Sequence, residues 1–384
     1  MRKRIIAFAA ALTSVFLLTS CGGIKITELN ERLIIEAVGV DFSEDGGYTV
    51  TVQALNSASP AGNEQSDGST ELTENLVFKG SSVGEALNGI SVHTGKTPLF
   101  SQARVLIIGF DTAKKNISKA LDFFLREYTT RTDILVAVSE GSATEMLSTS
   151  FGENAIGASV IENALNSGES TGNTVGLPLY KFVNLLLDNK SGAYCPVIGT
   201  QKEELSENFG IKIIGTALFS ENKLNGVIDS NETCGLLYLI DRVSSADIPI
   251  EADGGVFTLR VVDSRTKIKP PEKGGSTFLI RINTECDIVE FESADFSKLT
   301  KEAVEKVRIA CEEHIKKRAG RAITSAYYES DCDVCRFARR MWLSDPERYR
   351  AAANEDGSFS EKFAVEIDVG VKIRRTGKET LYEE

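Results

Sequence analysis

The sequence predicts a mixed α/β protein of more than one domain, with mixed and antiparallel sheets and packed helices. Three observations carry this. A strand, a helix and a strand with short joints fall between residues 103 and 138, the pattern of a parallel crossover. Strands dominate beyond about residue 206 and end in the most regular alternation of the chain. And 384 residues are more than one core usually organises.

The elements follow in order. Leu33 to Asp41 and Tyr48 to Leu55 read as strands joined by a Gly-rich turn, the second alternating cleanly. Asn56 to Asn75 is poor in large apolar residues and reads as a long mobile loop. Leu76 to Phe78 is a short strand and Ser82 to Ser91 a helix. Ala103 to Phe110 reads as a buried strand. Asp111 or Thr112 would cap the next helix, whose apolar face is Ile117, Ala120, Leu121, Phe124 and Tyr128. Asp133 to Val138 completes the crossover. Ser142 to Glu145 has capping-box form, and Pro178 suits the first turn of a helix carrying Leu179, Phe182, Val183 and Leu186.

The chain turns polar over residues 202–208, which suggests a boundary, with domains at 21–205 and 206–384. Past it, Ile211 to Ser220, Gly235 to Ile240, Val256 to Asp263 and Phe278 to Phe291 read as strands, with a turn at Glu221-Asn222-Lys223. Lys301 to about Tyr327 is a long amphipathic helix with Val304, Val307, Cys311 and Ile315 on one stripe. In the last strand Phe363, Val365, Ile367, Val369, Val371 and Ile373 face one way and polar residues the other, so one face is core and the other wet.

The first 20 residues have the form of a lipoprotein signal peptide. Arg2, Lys3 and Arg4 make a positive start, and Ile5 to Leu18 is uncharged. That run is too short for a bilayer core, which needs roughly 20 apolar residues, and fits a signal-peptide core. Leu18-Thr19-Ser20-Cys21 then has lipobox form. Small residues at 19 and 20 give a peptidase access, and the Cys21 thiol would take the diacylglycerol. With diacylglycerol and a further palmitate, Cys21 would be a stable anchor, since more than one chain is needed. The expected location is the outer face of a membrane.

Composition excludes some partners. Net charge is −12, and removing three positive residues with the signal takes it to −15. Nucleic acid is therefore not an expected partner, because phosphate contacts need a basic face.

No catalytic, cofactor or metal constellation emerges. Gly89 to Thr97 resembles a phosphate-binding loop, but it has five residues where four are needed and follows a helix; a turn into Pro98 is the better reading. Cys332-Asp333-Val334-Cys335 is a CxxC. A redox role needs a thiol of lowered pKa, and zinc needs two more ligands. The only histidines are His93 and His314, the latter among charged residues on a face expected to be solvated. The two cysteines are expected to lie on or beside a helix, free or locally paired. Cys195, Cys234, Cys286 and Cys311 complete the thiols, too sparse for a disulfide framework.

Four segments in order, behind the lipobox, resemble the Ger(x)C spore germination lipoprotein family, the C subunits of nutrient germinant receptors. They are Glu28 to Glu31 with Ala37 to Asp41; Arg104 to Gly109 with Leu121 to Glu127, Arg131 and Ala143 to Leu147; Gly215 to Phe219 with Lys223 to Gly226 and Gly235 to Leu237; and Val371 to Gly377. The likeness covers most of the mature chain. The sequence departs from the family at Cys332 to Phe337, where many members have an Asp-x-x-Gly-Phe-Gly-like stretch. The resemblance implies a multi-domain α/β fold and a non-enzymatic subunit acting with A and B subunits at the outer face of the spore inner membrane. It carries over one residue, the lipidated Cys21.

Arg126 and Arg131 have two readings: contact with a partner subunit, since arginine is enriched at interface anchors, or a structural ion pair near the helix end. Two further classes compete with the receptor-subunit reading. One is a lipid-anchored solute-binding protein of a transporter, which would have two similar α/β lobes. The other is an exported thiol enzyme using Cys332 and Cys335.

Overall fold

The computed structural model describes residues 31–56, 72–127, 129–153, 155–252, 254–292, 300–354 and 359–376. Cys21 and its signal sequence, most of the loop expected at 56–75, and Tyr128 lie outside these.

A mixed sheet organises the first part of the chain. Its strands are β1 (Arg32–Phe42), β2 (Tyr48–Leu55), β3 (Thr73–Gly80), β4 (Thr97–Leu99), β5 (Val105–Ile108), β6 (Leu135–Ser139), β7 (Ala193–Lys202), β8 (Phe209–Ser220) and β9 (Lys223–Asp229). The order is β3-β2-β1-β5-β6-β7-β8-β9, with β4 pairing β1. Strands β1, β5, β6 and β7 run parallel, and antiparallel strands flank them on both sides.

The parallel centre is buried on both faces, which is why it reads as continuous apolar sequence. Leu106 and Ile108 point into the main core, covered by α1 (Val83–Thr94), α3 (Ile117–Arg126) and α6 (Leu179–Leu187). Val105 and Ile107 point into a second cluster, covered by α4 (Ala143–Ser148) and α5 (Gly157–Ser170). The crossover from β5 through α3 to β6 is the parallel unit expected from the sequence. A short helix, α2 (Phe110–Ala113), precedes α3.

A four-stranded sheet forms the second layer system: β10 (Asp247–Ala252), β11 (Gly255–Lys269), β12 (Thr277–Glu292) and β13 (Ala364–Arg375). Only the β12/β13 pair is parallel. Two helices lie between the sheets in one continuous core: α7 (Ser230–Leu239) and α8 (Lys301–Ile323), with Leu236 and Leu237 from α7 and Val307, Cys311 and Ile315 from α8. Short helices α9 (Phe337–Ser344), α10 (Pro346–Asn354) and α11 (Phe359–Lys362) lead into β13. No helix among the described residues is long and apolar enough to cross a membrane.

Several local expectations are corrected. Gly235 to Ile240 is helical: Asp229 and Glu232 form a reciprocal capping box that starts α7. Because Thr233 and Gly235 to Leu239 are all buried, the helix shows no one-sided period and mimics a strand. Asn116, not Asp111 or Thr112, caps α3. Thr73 to Asn75 belong to β3, paired to Leu55, Ala54 and Gln53, so the loop is shorter than expected. Residues 202–208 form the connection of a β7/β8 hairpin, closed by Glu203 N–H donating to the Asn208 carbonyl (3.0 Å). The boundary expected at 205/206 falls within this connection, and the second sheet begins at Asp247.

Candidate functional site

The sequence segments singled out above converge on packing joints. Asp41, at the end of β1, reaches the N-terminus of α4. Its Oδ1 accepts from Ala143 N–H (2.8 Å), and its Oδ2 accepts from Thr144 N–H (2.9 Å) and Thr144 Oγ1–H (2.8 Å). The first-turn amides of a helix have no intrahelical partner, so a carboxylate there meets both hydrogen-bonding and dipole needs. The Thr144 hydroxyl proton is used by Asp41, so Thr51 Oγ1, 2.7 Å away, donates to Thr144. Gly109 is required beside them: a Cβ there would lie 2.0 Å from Asp41 Oδ1.

A second joint ties β5 to β1 and α5. Arg104 Nε donates to buried Glu36 (2.6 Å) and its Nη1 to Glu162 (2.8 Å). A third lies between α7 and α8, where Gly235 meets the backbone of Arg318 closely; an added Cβ would sit 2.2 Å from that carbonyl oxygen.

Arg126 donates to Asp122 (2.9 Å) one helical turn earlier, and Arg131 to Asp133 (2.8 Å); all four side chains are exposed. His93 is exposed, its ring edge-on to Phe78. The phosphate-loop look-alike is the end of α1: Gly95 takes the left-handed cap position and the chain turns into β4. His314 departs from expectation. It is half-buried, its Nε2 has no hydrogen-bond partner, and burial beside Arg318 and Lys317 pulls its pKa down to about 4.

The CxxC cysteines are free and buried. The Cys332 Sγ lies 3.4 Å from the Phe219 carbonyl and 3.5 Å from that of Ala193. Burial pushes both thiols up, away from the thiolate that redox chemistry needs. Between them the half-buried Asp333 accepts from Phe337 and Ala338 N–H (both 2.8 Å), so it caps α9. Among the described residues no group of three or more His, Cys, Asp or Glu gathers to hold a metal ion.

The most site-like feature was not visible in the sequence. A cavity of about 510 Å³ opens where α6 meets α9. Its polar wall includes Lys181, Asp188, Tyr194, Arg242, Arg336 and Arg339; Leu177 and Leu185 are apolar. Asp188 accepts from Arg336 Nη2 (3.0 Å) and Arg339 Nη1 (2.8 Å). These hydrogen bonds, with one from Lys190 N–H, outweigh burial and hold its carboxyl below the usual range. Residues 188 and 336–339 are far apart in sequence, and only the fold brings them together.

The comparisons with known proteins cover nearly the whole chain. Residues 25–200 match the family described as spore germination protein N-terminal domain, and residues 214–377 match the spore germination B3/GerAC-like C-terminal domain. The chain belongs to the GerAC spore germination family. Among Bacillus subtilis relatives, the GerAC chain is 22% identical to spore germination protein KC, covering 98% of this chain and 97% of that protein. It is 20% identical to spore germination protein B3, over 94% and 96% respectively. It is 24% identical to the putative spore germination protein YfkR over 76% of this chain and 77% of that one. The crystal structure of the GerBC protein shares its fold, with a TM-score of 0.56 at 17% identity, covering 88% of this chain and 96% of that one. The mixed, multi-domain architecture is thus a GerAC-family fold. Asp41, Gly109 and Gly235 of this GerAC chain mark where its layers lock together.

Proposed function

We propose that this chain is a lipid-anchored, non-enzymatic subunit of a spore nutrient germinant receptor, acting in assembly and signalling during germination. The observation that carries the reading is the match of both GerAC domains, in order, over residues 25–200 and 214–377. The lipobox ending at Cys21 supports anchoring at the outer face of the spore inner membrane through membrane lipid. Receptor A and B subunits would be its partners, with Arg126 and Arg131 as contact candidates. The non-enzymatic part is supported by thiols that are buried with raised pKa. A solute-binding protein of a transporter fits less well, because the two sheets are unlike in size and topology.

The test is a pull-down from detergent-solubilised spore membranes with tagged wild type and Cys21→Ala. Recovery of the two membrane subunits with wild type is expected, and Cys21→Ala then reports whether assembly needs the lipid. Recovery of a transporter permease without those subunits would overturn the reading.

A further inference from the structure

The cavity between α6 and α9 is built for a ligand of one charge type. Lys181, Arg336 and Arg339 line it with Asp188 as the carboxylate opposing them, on a chain of net charge −12. Lys181 makes no ion pair among the described residues, and Asp188 serves both arginines with one oxygen. Arg242 adds a third guanidinium at the wall, where its Nη2 donates to the Gly176 carbonyl (3.1 Å).

Two polar atoms at this wall lack partners. Tyr194 is more than nine-tenths buried, yet its hydroxyl has no hydrogen-bond partner among the described residues. The Arg336 Nε is buried and likewise unpartnered. Buried polar groups are almost always hydrogen-bonded, and an orphan costs about 1–3 kcal/mol. Of the two, only the Arg336 Nε is fully shielded from solvent; the Tyr194 hydroxyl keeps some access at the cavity wall and can donate or accept. Arg336 also takes a left-handed backbone conformation (φ 57°, ψ 41°) that a side chain rarely adopts. The Asp333 cap holds it there: the Asp333 carbonyl accepts from Arg336 N–H (3.1 Å), and its carboxylate accepts from the next two amides. Strain of this kind persists where surrounding structure over-determines it. Here it sets Arg336 at the cavity wall.

We infer that this cavity binds a small organic anion, a carboxylate or phosphate on an apolar body. The oxyanion would accept from Tyr194 Oη–H and the Lys181 ammonium, with Arg336 and Arg339 supplying charge. Leu177, Leu185 and the Tyr194 ring would take the apolar body. Cavities of roughly 300–1,000 Å³ with a few convergent polar groups are the usual form of small-molecule sites. The inference does not rest on the receptor-subunit reading: failure of the pull-down leaves the cavity intact, and failure of binding leaves the assembly untouched.

The test uses the full chain in detergent and its single tryptophan. Trp342 lies one turn from Arg339 on α9, with the Lys190 ammonium 5.3 Å from its ring centroid, so it reports on this region. Benzoate and phenyl phosphate are titrated, with benzyl alcohol as the neutral control. At least one anion should shift Trp342 emission saturably while the alcohol does not. Tyr194→Phe, which keeps the ring, should weaken binding about five-fold, the worth of one hydrogen bond. Arg339→Ala should weaken it about ten-fold or more, and Arg339→Lys should restore part of that. No saturable shift with either anion in folded protein would overturn the proposal. So would an equal response to benzyl alcohol, or wild-type affinity in the Tyr194→Phe, Arg339→Ala double variant.

Discussion

Replacing Asp41 by alanine tests whether the Ala37 to Asp41 segment is there to fasten α4 to β1. The variant removes three hydrogen bonds to one carboxylate, at 2.8, 2.9 and 2.8 Å. Hydrogen bonds to a charged group contribute about 1.5–3 kcal/mol each in mutational series. Two of these donors are first-turn amides, which water reaches in part when the carboxylate is gone, so the sum is discounted to about 3 kcal/mol. Urea unfolding of the full chain in detergent, followed by far-ultraviolet circular dichroism, should show a lower midpoint at unchanged slope. Gly109→Ala gives a second measure. The new methyl would contact Asp41 Oδ1 and should destabilise alone, yet cost little in the Asp41→Ala background, since the clashing atom is gone. A loss below about 1 kcal/mol for Asp41→Ala, or strict additivity of the pair, would refute the joint.

Three further outcomes follow from the packing of the same fold. Gly235→Ala should destabilise by about 1–3 kcal/mol despite alanine's better helix propensity, because the methyl meets Arg318 backbone; a stabilised variant in the same urea assay would show that α7 can shift. An aromatic disulfide reagent should modify Cys234 in native protein before Cys195, Cys286, Cys311, Cys332 and Cys335, which are buried and should react only after unfolding; early labelling of Cys332 or Cys335 would contradict their packing. Stability against pH should show two opposed contributions. Burial pushes the Asp333 carboxyl up to about 7 from 3.8, so its contribution falls as pH rises through that window, by about 4 kcal/mol. His314 is pulled down to about 4 from 6.5, so its contribution is present above 6.5 and lost as pH falls through 4. Half-exposed, it is worth about 1–2 kcal/mol after solvent screening. Asp333→Asn should leave only the rising slope and His314→Gln only the falling one; profiles unchanged by either variant would sink this account.

The parts of the fold legible in sequence are those where local pattern and burial agree. The half-buried β13 alternates because one face is wet, and the β5-α3-β6 crossover shows because α3 has one apolar stripe. Helix α7 was illegible for the opposite reason: with Thr233 and Gly235 to Leu239 all buried it carries no one-sided period, although Asp229 and Glu232 announced its start. The departure from the resembled family at Cys332 to Phe337 falls on the turn that starts α9. Asp333 caps α9, and the residue three positions on is left-handed, the place where a glycine would sit without strain. Arg336 stands there instead, and its side chain is what lines the cavity wall.

The cavity was beyond sequence reasoning because it belongs to neither half of the chain alone. Lys181, Asp188 and Tyr194 come from the region matched by the N-terminal GerAC domain, and Arg242, Arg336 and Arg339 from that matched by the C-terminal one. The same border is tied by Gly192 N–H donating to the Asp333 carbonyl (2.9 Å) and by the Cys332 thiol beside the Ala193 carbonyl. Asp188 therefore has two roles that pull in one direction. It neutralises Arg336 and Arg339, which holds α9 against the end of α6, and by engaging one face of each guanidinium it fixes where their remaining donors point. An anion that engages those donors gains from both halves at once. Its affinity would fall with any perturbation that parts α6 from α9, including ones that touch none of the lining residues.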